Sequence, residues 1–113
     1  FYDQNALWNM NLKGNLRVLL LNNQRGTIFN MLKGLEQSES RDKFVSGAHT
    51  ATAEGISMQN NAQYLKATNT EELEQGLDML INAESDRPIL LEVLTDAESD
   101  VRIVKEYYQK LNI

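Results

Sequence analysis

At 113 residues, 42% of them apolar, the chain has the size of one domain built on one core. A formal net charge of -5 and a pI near 4.8 exclude the basic face on which nucleic acid is held, and the absence of cysteine excludes a disulfide framework, a thiolate metal site and a cysteine nucleophile together. The longest aliphatic runs, Val18 to Leu21 and Ile89 to Leu91, are far too short to cross a bilayer, so the chain reads as soluble; the lack of cysteine fits a reducing cytoplasm, and a cytoplasmic protein with no nucleic-acid and no membrane partner is expected.

The chain opens Phe1-Tyr2-Asp3-Gln4-Asn5, without an initiator methionine and with residues that already look buried, which suggests a piece of something longer. Between Phe1 and Leu12, apolar side chains (Phe1, Tyr2, Ala6, Leu7, Trp8, Met10, Leu12) fall on more than one face, predicting a helix covered on several sides. Lys13-Gly14-Asn15 ends it. Leu16 to Leu21 follows with an unbroken aliphatic run from Val18, the pattern of a strand buried on both faces of a parallel sheet. Gly26 to Leu35 predicts a short amphipathic helix carrying Ile28, Met31, Leu32 and Leu35, and the polar run from Glu36 to Ser46 predicts an exposed loop or lid. Thr50 to Met58 reads as a further helix presenting Ala53, Ile56 and Met58, and Tyr64 to Ala67 as a second strand. Asn69-Thr70-Glu71-Glu72 carries capping chemistry ahead of a stripe of Leu73, Leu77, Leu80 and Ile81. Pro88 opens a third strand, Ile89 to Leu94, and a final helix places Val101, Val104, Tyr108 and Leu111 on one face.

Strands separated by helices require crossover connections, so the expected fold is α/β, a parallel sheet with helices on both faces. Ligands of such sheets gather beyond the carboxyl ends of the strands. Asn22 and Asn23 stand at that end of the most apolar strand. An amide oxygen can ligate Mg²⁺ without adding charge, leaving the cation to be neutralised by phosphate. A helix starting near Gly26 would aim its unpaired N-H groups and positive dipole end at the same place. Metal plus diphosphate is one reading of the pair. Asparagines that merely cap a helix and form a turn are the other.

The run Leu19-Leu20-Leu21-Asn22-Asn23, with Gly26, Ile28 and Phe29 after it, resembles the closing half of the thiamine-diphosphate motif, which opens with Gly-Asp and closes with Asn-Asn after a buried strand. Its opening half would lie just before Phe1. Within that superfamily, Phe1-Tyr2-Asp3-Gln4-Asn5-Ala6-Leu7 resembles the Tyr-Asp-x-Asn-x-Leu segment of the 2-succinyl-5-enolpyruvyl-6-hydroxy-3-cyclohexene-1-carboxylate synthase family of menaquinone biosynthesis. Arg41, Phe44, Tyr64, Glu72 and Leu73 fall at compatible places, so the likeness covers most of the chain. It implies that residues 1-113 are the C-terminal part of a thiamine-diphosphate-binding domain, truncated at its N-terminal side.

The resemblance further implies that Asn23 is a side-chain Mg²⁺ ligand, that the carbonyl of Arg25 is a backbone ligand, and that Asn22 shapes the turn beside the phosphates. Ile28 and Phe29 would line the pocket next to cofactor and substrate; core packing at the start of a helix is the alternative for both. Glycines are usual in the family at Gln24, Arg25 and Thr27, and a positive φ at position 25 would strain an arginine. Arg25 could instead face an anionic substrate or lie solvated on the surface. His49, the only histidine, reads as a turn residue, and the acidic runs Glu71 to Glu74 and Asp96 to Asp100 as solvated helix starts.

For the full-length protein the family implies a homodimer or homotetramer that uses thiamine diphosphate and Mg²⁺ to decarboxylate 2-oxoglutarate and add the succinic-semialdehyde unit to isochorismate. The metal-binding aspartate and the glutamate that activates the aminopyrimidine lie outside these residues, so no catalytic residue and no turnover are expected from the chain alone. Two alternatives stand beside this: another thiamine-diphosphate enzyme, of the 2-oxoacid decarboxylase or acetohydroxyacid synthase type, and a non-enzymatic flavodoxin-like binding or assembly domain.

Overall fold

The structure, a computed structural model, describes residues 3-35 and 37-111. It divides into two compact units, residues 1-21 with 52-94 and residues 22-51 with 95-113. The first unit carries the sheet. Strands β1 (Arg17-Asn22), β2 (Gln63-Ala67) and β3 (Ile89-Leu94) are parallel and stand in the order β1-β3-β2, with β2 and β3 in register from Gln63 beside Ile89 to Ala67 beside Val93. Helices α1 (Glu54-Gln59) and α2 (Thr70-Asn82) lie in the two crossovers. The α/β expectation is met.

One face of the central strand presents Ile89, Leu91 and Val93 to Ala67 of β2 and Leu80 of α2, with Leu65, Leu73, Leu77 and Ala83 around them. Gly76 lets α2 come this close, because a Cβ there would lie 2.8 Å from Leu91 Cδ1. Asn69 caps α2 by accepting the Glu72 N-H at 2.9 Å, and the Glu72 carboxylate answers by accepting the Thr68 N-H and hydroxyl at 2.8 and 2.7 Å. Those bonds, led by the Thr68 hydroxyl, hold the Glu72 carboxyl below its ordinary range. At the other end of α2, Arg17 spreads its guanidinium over the carbonyls of Leu80 at 2.8 Å and Ala83 at 2.7 Å while also donating to Gly14 at 2.6 Å. No basic residue of α2 itself lies in its last turn, so Arg17 supplies the cation that the orphan carbonyls call for.

The opposite face of the sheet carries Leu90 and a fully buried carboxylate, Glu92. Burial of a carboxylate costs several kcal/mol unless it is hydrogen-bonded. Glu92 accepts the Ala53 N-H at 3.0 Å and the Tyr64 hydroxyl at 2.6 Å, which ties the start of α1 to the sheet. Burial, and then that bond to Glu92, raise the Tyr64 phenol well above its ordinary range. Leu7, Val18, Leu20, Ile56 and Leu90 line an apolar cleft of about 390 Å³ on this face.

Several element expectations are corrected. The helix over 1-12 is a 3₁₀ turn, Gln4-Trp8, in the described residues, Phe1 and Tyr2 lying outside them. Asn9 ends it by accepting the Asn11 N-H at 2.9 Å, a local bond that competes with helix, and Met10 is 98% exposed rather than buried. β1 is not buried on both faces, since as an edge strand it leaves Leu19 and Leu21 exposed on the side that α2 shares with β2 and β3. In α1, Met58 faces out, and in α2 so does Ile81.

In the second unit, the amphipathic helix over 26-35 reduces to a 3₁₀ helix, Thr27-Met31, which has no side-chain cap and is followed by Gly34 in the left-handed region at φ 90°. The predicted loop over 36-46, of which Glu36 lies outside the described residues, holds a π-helical turn, Arg41-Val45, closed by the Ser46 N-H donating to the Arg41 carbonyl at 2.8 Å. Helix α3 (Ala97-Lys110) packs against Thr27-Met31, while Val104, Tyr108 and Leu111 remain exposed. No helix among the described residues is long and apolar enough to cross a membrane.

Candidate functional site

The site is built in the second unit from the segment that follows β1 and the segment that follows β3. The Asn22 side chain is 4% exposed and organises the turn. Its Oδ1 accepts the Gln24 N-H at 2.9 Å and its Nδ2 donates to the Ala51 carbonyl at 2.9 Å, while its own carbonyl accepts the Thr95 N-H at 3.1 Å. Asn23 repeats the motif one residue later, its Oδ1 accepting the Arg25 N-H at 3.3 Å. Two successive Asx turns bend the chain sharply. The strain falls on Gln24, at φ 63°, and not on Arg25.

Gly26 completes the turn. Its N-H donates to the Ser46 carbonyl at 2.6 Å, and a Cβ there would meet that oxygen at 3.2 Å and the Phe29 ring at 3.3 Å. The Gln24 carbonyl accepts the His49 N-H at 2.9 Å, so residues 46-49 are laced along residues 24-26. His49 Nδ1 accepts the Ala51 N-H at 3.1 Å, which leaves the imidazole proton on Nε2 in the neutral tautomer.

A cleft of about 280 Å³ lies among Asn23, Arg25, His49, Thr95, Asp96 and Ala97. The helix that begins at this cleft is α3, not the short turn after Gly26, so the positive dipole end arrives from the far side of the chain. Asp96 caps α3 by accepting the Ser99 N-H at 2.9 Å, which is the first cause of its carboxyl lying below the ordinary range. Arg25, with its side chain 20% exposed, sits 3.5 Å from Asp42 and 3.9 Å from Glu98. A hydrogen bond from Arg41, with Arg25 acting behind it, lowers the Asp42 carboxyl.

Of the residues singled out in the sequence, Asn23 and Arg25 line the cleft and Asn22 lies buried in the turn beneath them. Ile28 is 63% exposed and Phe29 half-buried over Gly26; neither lines the cleft. His49 lines it as an exposed turn residue. Thr95 and Asp100 belong to the site without having been expected there. Asp100 is half-buried rather than a solvated helix start, and one of its oxygens accepts both the Thr95 hydroxyl at 2.6 Å and the Asn23 amide at 3.1 Å. The capping pattern Asp96-x-x-Ser99 was a legible signal for a helix start here. The pairing of Asp100 with a residue far away in the chain was not.

Among the described residues, no three of His, Cys, Asp and Glu gather where they would hold a metal by themselves. Of the residues lining the cleft, Asn23 carries a neutral side-chain oxygen, Oδ1, engaged by one long bond at 3.3 Å, and Arg25 a backbone carbonyl. Both are hard donors of the kind Mg²⁺ takes, and they fit a site in which phosphate oxygens, water and further ligands complete the octahedron.

No family model matches the chain. It is 43% identical over 112 residues to the 2-succinyl-5-enolpyruvyl-6-hydroxy-3-cyclohexene-1-carboxylate synthase of Phocaeicola vulgatus, covering 98% of this chain and 20% of that protein. The like-named synthase of Bacteroides thetaiotaomicron is 39% identical over 112 residues with the same coverage. That of Christiangramia forsetii is 36% identical over 108 residues, 96% of this chain and 18% of the relative. The chain spans about a fifth of the length of the curated relatives it matches.

Proposed function

Since the chain belongs by sequence to the 2-succinyl-5-enolpyruvyl-6-hydroxy-3-cyclohexene-1-carboxylate synthase family, we propose that the full-length protein decarboxylates 2-oxoglutarate and joins the succinic-semialdehyde unit to isochorismate in menaquinone biosynthesis. In this reading these residues are the C-terminal part of the domain that binds thiamine diphosphate and Mg²⁺, in a cytoplasmic homodimer or homotetramer. Thiamine diphosphate, when bound, supplies the nucleophilic carbon and the electron sink that the decarboxylation needs.

The observation that carries the reading is the double Asx turn, which brings Asn23 and Arg25 to one cleft. This chain's own work is to bind and orient. Asn23 Oδ1 and the Arg25 carbonyl would contribute two oxygens to Mg²⁺, and buried Asn22 holds the turn that carries them. The Arg25 guanidinium, loosely paired with Asp42 and Glu98, adds positive charge beside an anionic ligand. Ile28 and Phe29 are assigned to the wall nearest the cofactor and substrate on family resemblance alone.

Two oxygens are too few to hold Mg²⁺, so residues 1-113 by themselves are expected to show no turnover. The test is incubation of the full-length protein with 2-oxoglutarate, isochorismate, thiamine diphosphate and Mg²⁺, following the coupled product by mass spectrometry. Product that requires all four supports the proposal. Decarboxylation of a different 2-oxoacid, with no coupling to isochorismate, assigns the protein to another thiamine-diphosphate enzyme class.

A further inference from the structure

We propose that Asp100, held by Thr95, is a positioning residue that fixes which end of the Asn23 amide faces the cation; the proposal rests on the reading of Asn23 as a Mg²⁺ ligand. The two ends of a carboxamide have nearly the same shape and opposite chemistry, and only the oxygen can ligate a metal. A carboxylate only accepts. With Asp100 Oδ2 at 3.1 Å, the nitrogen end of Asn23 must point to it, and the oxygen must point the other way, where it accepts the Arg25 N-H. The second contact of the nitrogen is the Thr27 hydroxyl at 3.4 Å, which can donate or accept and so sets no direction. Asp100 and the Arg25 N-H therefore set the orientation together, and Asp100 makes the shorter of the two bonds and is the one that a side-chain substitution can remove. The Thr95 hydroxyl, donating to the same oxygen at 2.6 Å, keeps that carboxylate in place.

A reversed amide would turn its N-H groups toward the cation and remove the ligand. Groups that orient a metal ligand without touching the metal are commonly worth 10- to 100-fold in affinity. A purely electrostatic role for Asp100, as a negative charge near a cation, predicts a loss as well, so the two must be separated. Asn23→Asp separates them: a carboxylate offers oxygen from either end, and its orientation no longer matters.

Mg²⁺ affinity of the full-length protein is measured by calorimetry with thiamine diphosphate present, for wild type, Asp100→Asn, Asn23→Asp and the double variant. The expected result is about 10-fold weaker binding for Asp100→Asn in the Asn23 background, and no loss for the same change in the Asn23→Asp background. Equal losses in both backgrounds, or binding within twofold of wild type for Asp100→Asn, overturn the proposal. Thr95→Val, which frees the Asp100 carboxylate without altering its charge, should weaken Mg²⁺ in the same direction. It stands in should Asp100→Asn not fold, and unchanged affinity there overturns the proposal equally. Unchanged affinity in Asn23→Ala removes the metal reading itself, which is a distinct failure.

Discussion

Gln24 carries a left-handed backbone at φ 63° in the turn that presents Asn23, and it does so with a side chain that gains little from the position, since Gln24 is exposed. An L-residue there pays about 1-2 kcal/mol relative to a residue without Cβ, part of which glycine returns as lost chain freedom. Gln24→Gly should therefore stabilise the full-length protein by about 0.5-1 kcal/mol, read as a rise in the urea midpoint with unchanged slope. A drop in the midpoint would show that the side chain contributes more than its exposure suggests. The sequence carried half of this local picture. Adjacent asparagines after an aliphatic run mark a sharp turn at a strand's carboxyl end, and Asx chemistry is local. Which residue takes the positive φ is decided by how residues 46-49 lie along the turn, and Asp100 lies 77 positions from Asn23, so neither leaves a trace in spacing.

Arg17 shows the same division at the level of elements. The pattern of leucines and the cap at Asn69 made α2 legible, because both signals lie within a few residues. The cation at its far end comes from β1, through a guanidinium that reaches the carbonyls of Leu80 and Ala83. Hydrogen bonds to charged groups contribute about 1.5-3 kcal/mol net where they are sheltered and less where water reaches them, so Arg17→Ala should destabilise by about 2-3 kcal/mol. Arg17→Lys should recover only part of this, since one ammonium cannot span three carbonyls in a plane. Thermal denaturation of the two variants checks the order. For the short helices, composition misled because apolar spacing was present but caps were not: Gly26 offers no side-chain bond, and Asn9 takes the N-H of Asn11 for itself.

The start of α3 makes a pH-dependent statement. Asp96 has its carboxyl lowered from 3.8 by the Ser99 N-H, so the folded state holds it ionised more strongly than the unfolded chain does. Its contribution is complete above about 3.8 and is lost as pH falls through the lower folded value. Protection of the Ser99 amide from hydrogen exchange, corrected for intrinsic rates, should fall over that window. Asp96→Asn, which caps without a titrating group, should abolish the dependence. A wild-type profile unchanged by the substitution would assign the loss to another carboxylate.

At the scale of the whole molecule, the chain is acidic, and the cleft beside Asn23 is lined by an amide, a helix start and one arginine rather than by a basic surface. The fold class followed from alternating strand and helix patterns. Family membership followed from two short segments, the aromatic opening and the Asn-Asn turn, and the likeness to synthases about five times as long agrees with both. Burial was the property least legible in the pattern. Leu19, Leu21 and the apolar stripe of α3 have the composition of covered faces and stand exposed among the described residues.

The role proposed for Asn23 is to hold Mg²⁺ beside the cofactor in the full-length protein. Calorimetric titration with thiamine diphosphate and Mg²⁺, comparing wild type with Asn23→Ala, tests it most directly. The expected result is Mg²⁺ binding weakened at least about 10-fold, with cofactor affinity falling alongside it because Mg²⁺ held there would link the protein to the cofactor's phosphates. Unchanged affinity for both would contradict it.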